Sequence, residues 1–200
     1  MIRILAINGS YRDDGVTDRA VDCALAAARA AGAAVEQIRL REYPIEFCLN
    51  CRECTQPPGE APAACVLDDG MRALVEKIEA ADALILAAPT NFGSVTALFK
   101  RFMERLAVYA YWPWGGRVPS YRKAGLANRK PALLISSSAA PALLARWAFG
   151  SLRQLRATAT LLGADVAGSL LIGSTSAEPQ PPLAEAQQAR LRKLAARLLR

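Results

Sequence analysis

The stretch Ile2-Arg3-Ile4-Leu5-Ala6-Ile7-Asn8-Gly9-Ser10-Tyr11-Arg12-Asp13-Asp14-Gly15-Val16-Thr17 decides how this chain folds. Ile2 to Ile7 is an apolar run interrupted only by Arg3, the pattern of a strand covered on both faces. Asp18 to Ala31 then carries Ala, Leu and Val at helical spacing. Thr17 is the expected N-cap and Gly32 the expected C-terminal stop. Between strand and helix lies a polar, glycine-bearing turn. In an open α/β sheet such a turn belongs to the carboxyl edge, where ligands bind.

The same rhythm continues outward. Val35 to Leu40 reads as a second strand, and Asp68 or Asp69 caps a helix from Met71 to Ala80. Ala83 to Ala88 is a buried strand stopped by Pro89, and Ser94 opens a helix through Lys100, Phe102 and Leu106. Ala132 to Ile135 is the fourth strand, Pro141 to Leu162 a long helix, and Val166 to Ile172 the last strand. A Pro-rich break at Glu178 to Pro182 precedes an amphipathic tail helix, Leu183 to Arg200. Residues 107–130 (AVYAYWPWGGRVPSYRKAGLANRK) break the pattern. They are aromatic and long for a connection, so a functional or interface loop is expected. Five β-α repeats with right-handed crossovers predict an α/β fold, a five-stranded parallel sheet between helices. No internal repeat or linker is visible, so residues 1–200 are expected to form a single domain.

Composition narrows the function. The chain has 200 residues, 52% apolar and 22% charged, which is globular rather than disordered. No apolar run approaches the roughly 18 residues of a bilayer span, and MIRILAING reads as a strand rather than a signal peptide. A cytoplasmic protein without membrane contact is expected. There is no histidine. That excludes Ser-His-Asp and Cys-His catalysis, histidine zinc sites and histidine acid/base chemistry. The net charge of +7 is uneven, since residues 100–160 carry eleven Lys or Arg against one acid, Glu104. Such a field attracts phosphate-bearing ligands such as NADPH or FMN, and a solvated basic surface is the alternative. With no recognised nucleic-acid module, no nucleic-acid partner is expected.

Three turns after strands look like parts of one site. Asn8 to Thr17 offers the hydroxyls of Ser10 and Thr17, loop amides through Gly15 and Val16, and the charge of Arg12 to a phosphate. It matches neither the Gly-x-Gly-x-x-Gly fingerprint nor a P-loop. Pro89-Thr90-Asn91-Phe92-Gly93-Ser94 offers an apolar wall in Phe92, and amides near Asn91 and Gly93 for the polar edge of a flat redox ring. Ser136-Ser137-Ser138-Ala139-Ala140 is small enough for a ring to approach backbone. Each alone also fits an ordinary turn; together they are specific.

Five cysteines are present, four of them between residues 48 and 65. In a reducing cytosol this crowding suggests a metal, a redox role or small buried side chains. Cys48, Cys51, Cys54 and Cys65 can surround a [4Fe–4S] cube, and the same thiolates suit zinc. The third possibility is a purely structural role. Ten residues, Thr55 to Ala64, separate Cys54 from Cys65. Cys23 lies on the apolar face of the first helix and reads as core.

On Gly9-Ser10-x-Arg12 with Thr17, the Cys48-x-x-Cys51-x-x-Cys54…Cys65-Val66-Leu67-Asp68-Asp69 pattern, Ala81-Asp82-Ala83 leading to Ala88-Pro89, and the helix around Lys100, the chain resembles the NAD(P)H-dependent FMN reductases of the flavodoxin-like fold. Within that group it most resembles the iron-sulfur flavoproteins. The resemblance covers roughly residues 1–140. It implies strand order 2-1-3-4-5, bound FMN, and a homodimer or homotetramer. It also implies that Ser10, Arg12 and Thr17 hold the FMN phosphate, that Pro89, Thr90, Asn91, Phe92 and Gly93 line the isoalloxazine, and that Ser137 and Ser138 lie nearby. Asn91 or Phe92 stands where members commonly show Tyr or Trp, and Glu104-Arg105 where they show Asp-Arg. The expected reaction passes hydride from NAD(P)H to FMN and electrons on to an acceptor. The flavin carries the chemistry, so no catalytic side chain is expected. The alternative is an iron-sulfur flavoprotein serving as an electron carrier or redox sensor without small-molecule turnover. Tyr109, Tyr111, Trp112 and Trp114 are expected to roof the site or to pack across a dimer interface. Arg117, Arg122 and Lys123 are the candidates for the NADPH 2′-phosphate.

Overall fold

The computed structural model describes residues 1–178 and 180–199. Pro179, inside the expected Pro-rich break, and Arg200, at the end of the expected tail helix, lie outside the described residues. Five strands, β1 (Arg3–Asn8), β2 (Ala34–Arg39), β3 (Ala83–Ala87), β4 (Lys130–Ser137) and β5 (Ala164–Ile172), form one sheet in the order β2-β1-β3-β4-β5. Every neighbouring pair is parallel. The alternation of strand residues assigns the two faces. Ile4, Ala6, Ala83, Ile85, Leu133 and Ile135 point to one face. There they meet Ala20, Val21, Ala24 and Ala28 of α1 (Val16–Ala30) and Leu191 and Leu194 of α6 (Glu185–Ala195). Leu5, Ile7, Leu84, Leu86 and Leu134 point to the other. There they meet α2 (Met71–Ala80), α3 (Ala97–Arg105) and α5 (Ser151–Leu161). Each fully buried Leu or Ile adds about 1.5–3 kcal/mol of hydrophobic stabilisation. The result is the helix-sandwiched parallel sheet that the β-α rhythm predicts, in the flavodoxin-like strand order that the family resemblance implies.

Several element boundaries differ from the sequence expectation, each for a local reason. Helix α1 opens at Val16 with Gly15 as its N-cap, because Gly15 is extended (φ −69°, ψ 167°); having no side chain, it leaves the first turn without a side-chain cap. Thr17 falls inside the first turn and its hydroxyl faces Ser137 instead. Helix α3 opens at Ala97, capped by Thr96, whose hydroxyl accepts from the Phe99 amide at 3.2 Å. Ser94 belongs to a two-residue hairpin, since Thr90–Asn91 pairs antiparallel with Ser94–Val95. Helix α2 takes Gly70 as its N-cap, although the Asp69 carboxylate does accept from the Met71 amide at 3.0 Å.

The expected long helix from Pro141 is two helices, α4 (Ala142–Ala148) and α5. Phe149 is extended (ψ 152°), and the Gly150 amide donates to the Gly93 carbonyl at 2.7 Å, so the hairpin breaks the helix. Residues 107–130 are not an open loop. A 3₁₀ turn (Leu106–Tyr109) leads into a two-residue ribbon, Ala110–Tyr111 with Ser120–Tyr121.

Candidate functional site

The strand order reverses at β1: the chain leaves it for β2 on one side and returns to β3 on the other. The turns after β1, β3, β4 and β5 meet at this carboxyl edge. Backbone bonds stitch them together. The Gly9 amide donates to the Ala87 carbonyl (2.8 Å), Ser138 to Ile172 (2.8 Å), and Thr175 to Ser138 (3.1 Å). The Ser136 hydroxyl donates to the Ala88 carbonyl (2.9 Å).

The turns enclose a cavity of ≈ 350 Å³. Of the predicted residues, Ser10, Arg12, Gly15, Val16, Thr17, Pro89, Thr90, Asn91, Ser137 and Ser138 line it. Phe92 and Gly93 do not. They are the two central residues of the hairpin, both at positive φ (48° and 75°), and this turn carries Phe92 out into solvent. Tyr11, Ala139, Thr175, Ser176 and Pro181 also line the cavity. Tyr11 and Ala139 sit in turns already singled out. Thr175, Ser176 and Pro181 follow β5, and the carboxyl-edge rule applied to that strand would have found them.

One end of the cavity suits an anion. The first turn of α1 opens into it without a side-chain cap, leaving amides for a ligand. Around it stand hydroxyls with little exposure, Ser10, Thr17, Ser137 and Ser138. Thr17 and Ser137 share a 2.8 Å hydrogen bond across α1 and β4. The other end is formed by Pro89, Thr90 and Asn91. A phosphate with a flat ring attached matches this donor set and this volume.

The aromatic segment lies elsewhere. None of Tyr109, Tyr111, Trp112 and Trp114 lines the cavity, which corrects the expected roof. Tyr109 is fully buried and donates to Glu79 (3.0 Å). Trp112 and Trp114 clamp the Arg52 guanidinium, 3.9 and 4.3 Å from their ring centroids. Arg122 is buried, donating to the carbonyls of Val108, Gly59, Cys54 and Pro57. Lys123 is paired with Glu79. Neither these two cations nor Arg117 lines the cavity.

What the segment holds is the cysteine loop. Asn50 and Arg52 both adopt left-handed backbone (φ 54° and 63°), winding the loop tightly between Cys48 and Cys54. Left-handed backbone is strained for Arg, and the two Trp rings fix it there. Cys48, Cys51, Cys54 and Cys65 line one pocket of ≈ 180 Å³ with Trp112 and Ala110. Burial, then the three neighbouring thiols, push the Cys54 thiol up to about 11. The Asn50 amide donates to Cys48 Sγ (3.4 Å) and Arg105 Nη2 to Cys65 Sγ (3.5 Å). Among the described residues no three His, Cys, Asp or Glu converge as a metal site, so the geometry supports neither the expected zinc nor the expected [4Fe–4S] cluster at Cys48, Cys51, Cys54 and Cys65. Cys23 is half-buried beside the α1–α6 core, as expected.

The sequence profile of the NADPH-dependent FMN reductases matches residues 2–178. An iron-sulfur flavoprotein of Archaeoglobus fulgidus is 31% identical over 129 residues, 62% of this chain and 56% of its own. The chain spans about half the length of the curated relatives it matches. Among solved structures, an NADH:FMN oxidoreductase in its apo form is similar at TM-score 0.63 and 20% identity, covering 99% of this chain and 88% of that one. An azoreductase from Bacillus anthracis is similar at TM-score 0.67 and 15% identity, covering 99% and 98%. The structural likenesses bear on the fold. The profile match takes in β1 to β5 and the turns that build the cavity, and by it the chain belongs to the NADPH-dependent FMN reductase family.

Proposed function

We propose that this chain is an FMN-dependent oxidoreductase of the flavin or quinone reductase type, taking hydride from NAD(P)H and passing electrons to an acceptor. The observation that carries the reading is the convergence of four carboxyl-edge turns on one cavity with an uncapped helix terminus and buried hydroxyls at one end. FMN, when bound, supplies a ring that accepts hydride and releases electrons singly or in pairs. The protein's part is binding and orientation. Ser10, Arg12, Thr17 and the amides of Gly15 and Val16 hold the phosphate, while Pro89, Thr90 and Asn91 flank the ring and Ser137 and Ser138 face it. Phe92 stands exposed beside the mouth. No acid or base is required of the chain.

We take residues 1–200 as one cytoplasmic domain working as a homodimer or homotetramer. Among the described residues no helix is long and apolar enough to cross a membrane. The exposed Leu143, Leu144 and Trp147 of α4 favour a further copy packing there. A second reading, an iron-sulfur flavoprotein acting as electron carrier or redox sensor, is favoured by the four cysteines around one pocket. A [4Fe–4S] cube there would be held by Cys48, Cys51, Cys54 and Cys65, with Arg105 and the Asn50 amide donating to the sulfurs and so raising its potential.

The test is an anaerobic titration of FMN-loaded protein with NADPH and with NADH, followed by addition of quinone or free FMN. Bleaching of the flavin band by nicotinamide and its return on adding acceptor are expected. Protein that takes up no FMN overturns the reading. Flavin that stays oxidised under excess NAD(P)H moves the protein to the carrier reading.

A further inference from the structure

Against the turn after β1 lies Arg41, which does not line the cavity and whose side chain is 12% exposed. Its Nη1 is 3.3 Å from the Ser10 carbonyl, 3.2 Å from the Arg12 carbonyl and 3.2 Å from the Asp18 carboxylate. Its Nη2 meets Asp13, and its Nε lies 3.2 Å from Glu42. Asp18, itself buried, accepts from the carboxamide of fully buried Asn8, and the Asn8 oxygen accepts from the Ser10 amide at 2.9 Å. One guanidinium and one carboxamide therefore fix Ser10 from both ends.

A trans peptide sets its N–H opposite its C=O. With the carbonyls of Ser10 and Arg12 drawn back toward Arg41, the amides that follow them face away from Arg41. We propose that Arg41 is a positioning residue for the phosphate end of the cavity, and that through the Ser10–Arg12 backbone it sets the preference for a phosphorylated flavin over an unphosphorylated one. The proposal rests on the FMN reading above. Three carboxylates, Asp13, Asp18 and Glu42, surround the guanidinium. Its charge is thus spent locally, and its effect on the ligand is geometric. A planar fork with several fixed donors does this; a lysine ammonium, a single point on a flexible stem, does not.

The experiment measures FMN and riboflavin affinity by fluorescence quenching for the unaltered protein, Arg41→Ala and Arg41→Lys, with thermal melts to establish folding. The unaltered protein is expected to prefer FMN. Both variants are expected to lose about tenfold in FMN affinity while riboflavin changes less than about twofold, the cost of one misplaced set of charge-assisted contacts. Should Arg41→Ala fail to fold, Arg41→Lys decides. An unchanged FMN-to-riboflavin ratio in the folded variants overturns the proposal, as does equal weakening of both ligands, which a merely structural role would give. Full recovery in Arg41→Lys also overturns it, because charge alone would then suffice. If the unaltered protein binds neither flavin, or binds both equally, the FMN reading falls and this proposal with it, a result that involves no variant.

Discussion

At the scale of single residues, the most consequential contact outside the cavity is the Arg105–Asp69 pair. Arg105 is 1% exposed at the side chain, and its two terminal nitrogens reach both Asp69 oxygens, at 2.5 and 3.0 Å. Burial pushes the Asp69 carboxyl up. The hydrogen bonds from Arg105 and from the amides of Glu46 and Met71 outweigh it and hold the carboxyl down at about 2. Because the folded value lies below the unfolded one, the pair's contribution is fully present above about pH 4 and is lost as the pH falls toward 2. That contribution is about 2 kcal/mol. Asp69→Asn is expected to destabilise the protein by about 3 kcal/mol at pH 7, since it leaves a buried guanidinium unpaired. Urea unfolding at pH 5, 3 and 2 checks this. The variant should show a flatter loss of stability between pH 4 and 2, and a slope equal to that of the unaltered protein would refute the assignment. The same pair keeps Arg105 beside Cys65, so the variant should also alter the environment of the cysteine pocket.

At the scale of elements, the contact between the turn after β1 and α3 governs how the cavity is built. A Cβ on Gly9 would lie 2.7 Å from Phe99 Cβ and 3.2 Å from Thr96 Oγ1, and Thr96 already donates to the Gly9 carbonyl at 2.6 Å. Gly9→Ala must push α3 off the turn. An expected cost of about 1–3 kcal/mol follows, read by denaturant midpoint, together with weakened flavin uptake. A fully stable Gly9→Ala variant would show that α3 does not set the turn. The strands and most helices were legible because Ile2–Ile7 and Ala83–Ala88 carry their own periodicity, and ten cavity residues were legible because they follow strand ends. What stayed hidden depends on partners distant in sequence. The break at Phe149–Gly150 comes from a bond to Gly93. Nothing in residues 107–130 announces that Trp112 and Trp114 close on Arg52, or that Arg122 turns inward to four carbonyls. Phe92 misled because an aromatic in a carboxyl-edge turn reads as a ring wall, while the hairpin's positive-φ pair aims it outward.

At the scale of the whole molecule, the carboxyl-edge cavity and the cysteine pocket stand on one scaffold and share no lining residue. The flavin-sized one is framed by sheet-edge turns. The cysteine pocket is framed by the 48–67 loop and the segment after α3, and its own ties run to Arg52, Arg105 and Arg122 rather than to the sheet edge. Separate framing predicts separate occupancy. Cys51 is the exposed member of the four, so Cys51→Ser should be the variant least disturbing to the fold. On the carrier reading, protein prepared anaerobically with iron and sulfide should hold about four irons per chain, with a marked loss in Cys51→Ser; an unaltered protein that takes up no iron refutes that reading. FMN affinity should remain within about twofold in the same samples, because none of the contacts that stitch the four turns involves residues 48–67. Iron and acid-labile sulfide analysis alongside flavin titration makes both measurements on one preparation. Loss of FMN together with iron would mean that the cysteine loop reaches the sheet edge through couplings the geometry does not contain, and the picture of two independently framed sites would have to be abandoned.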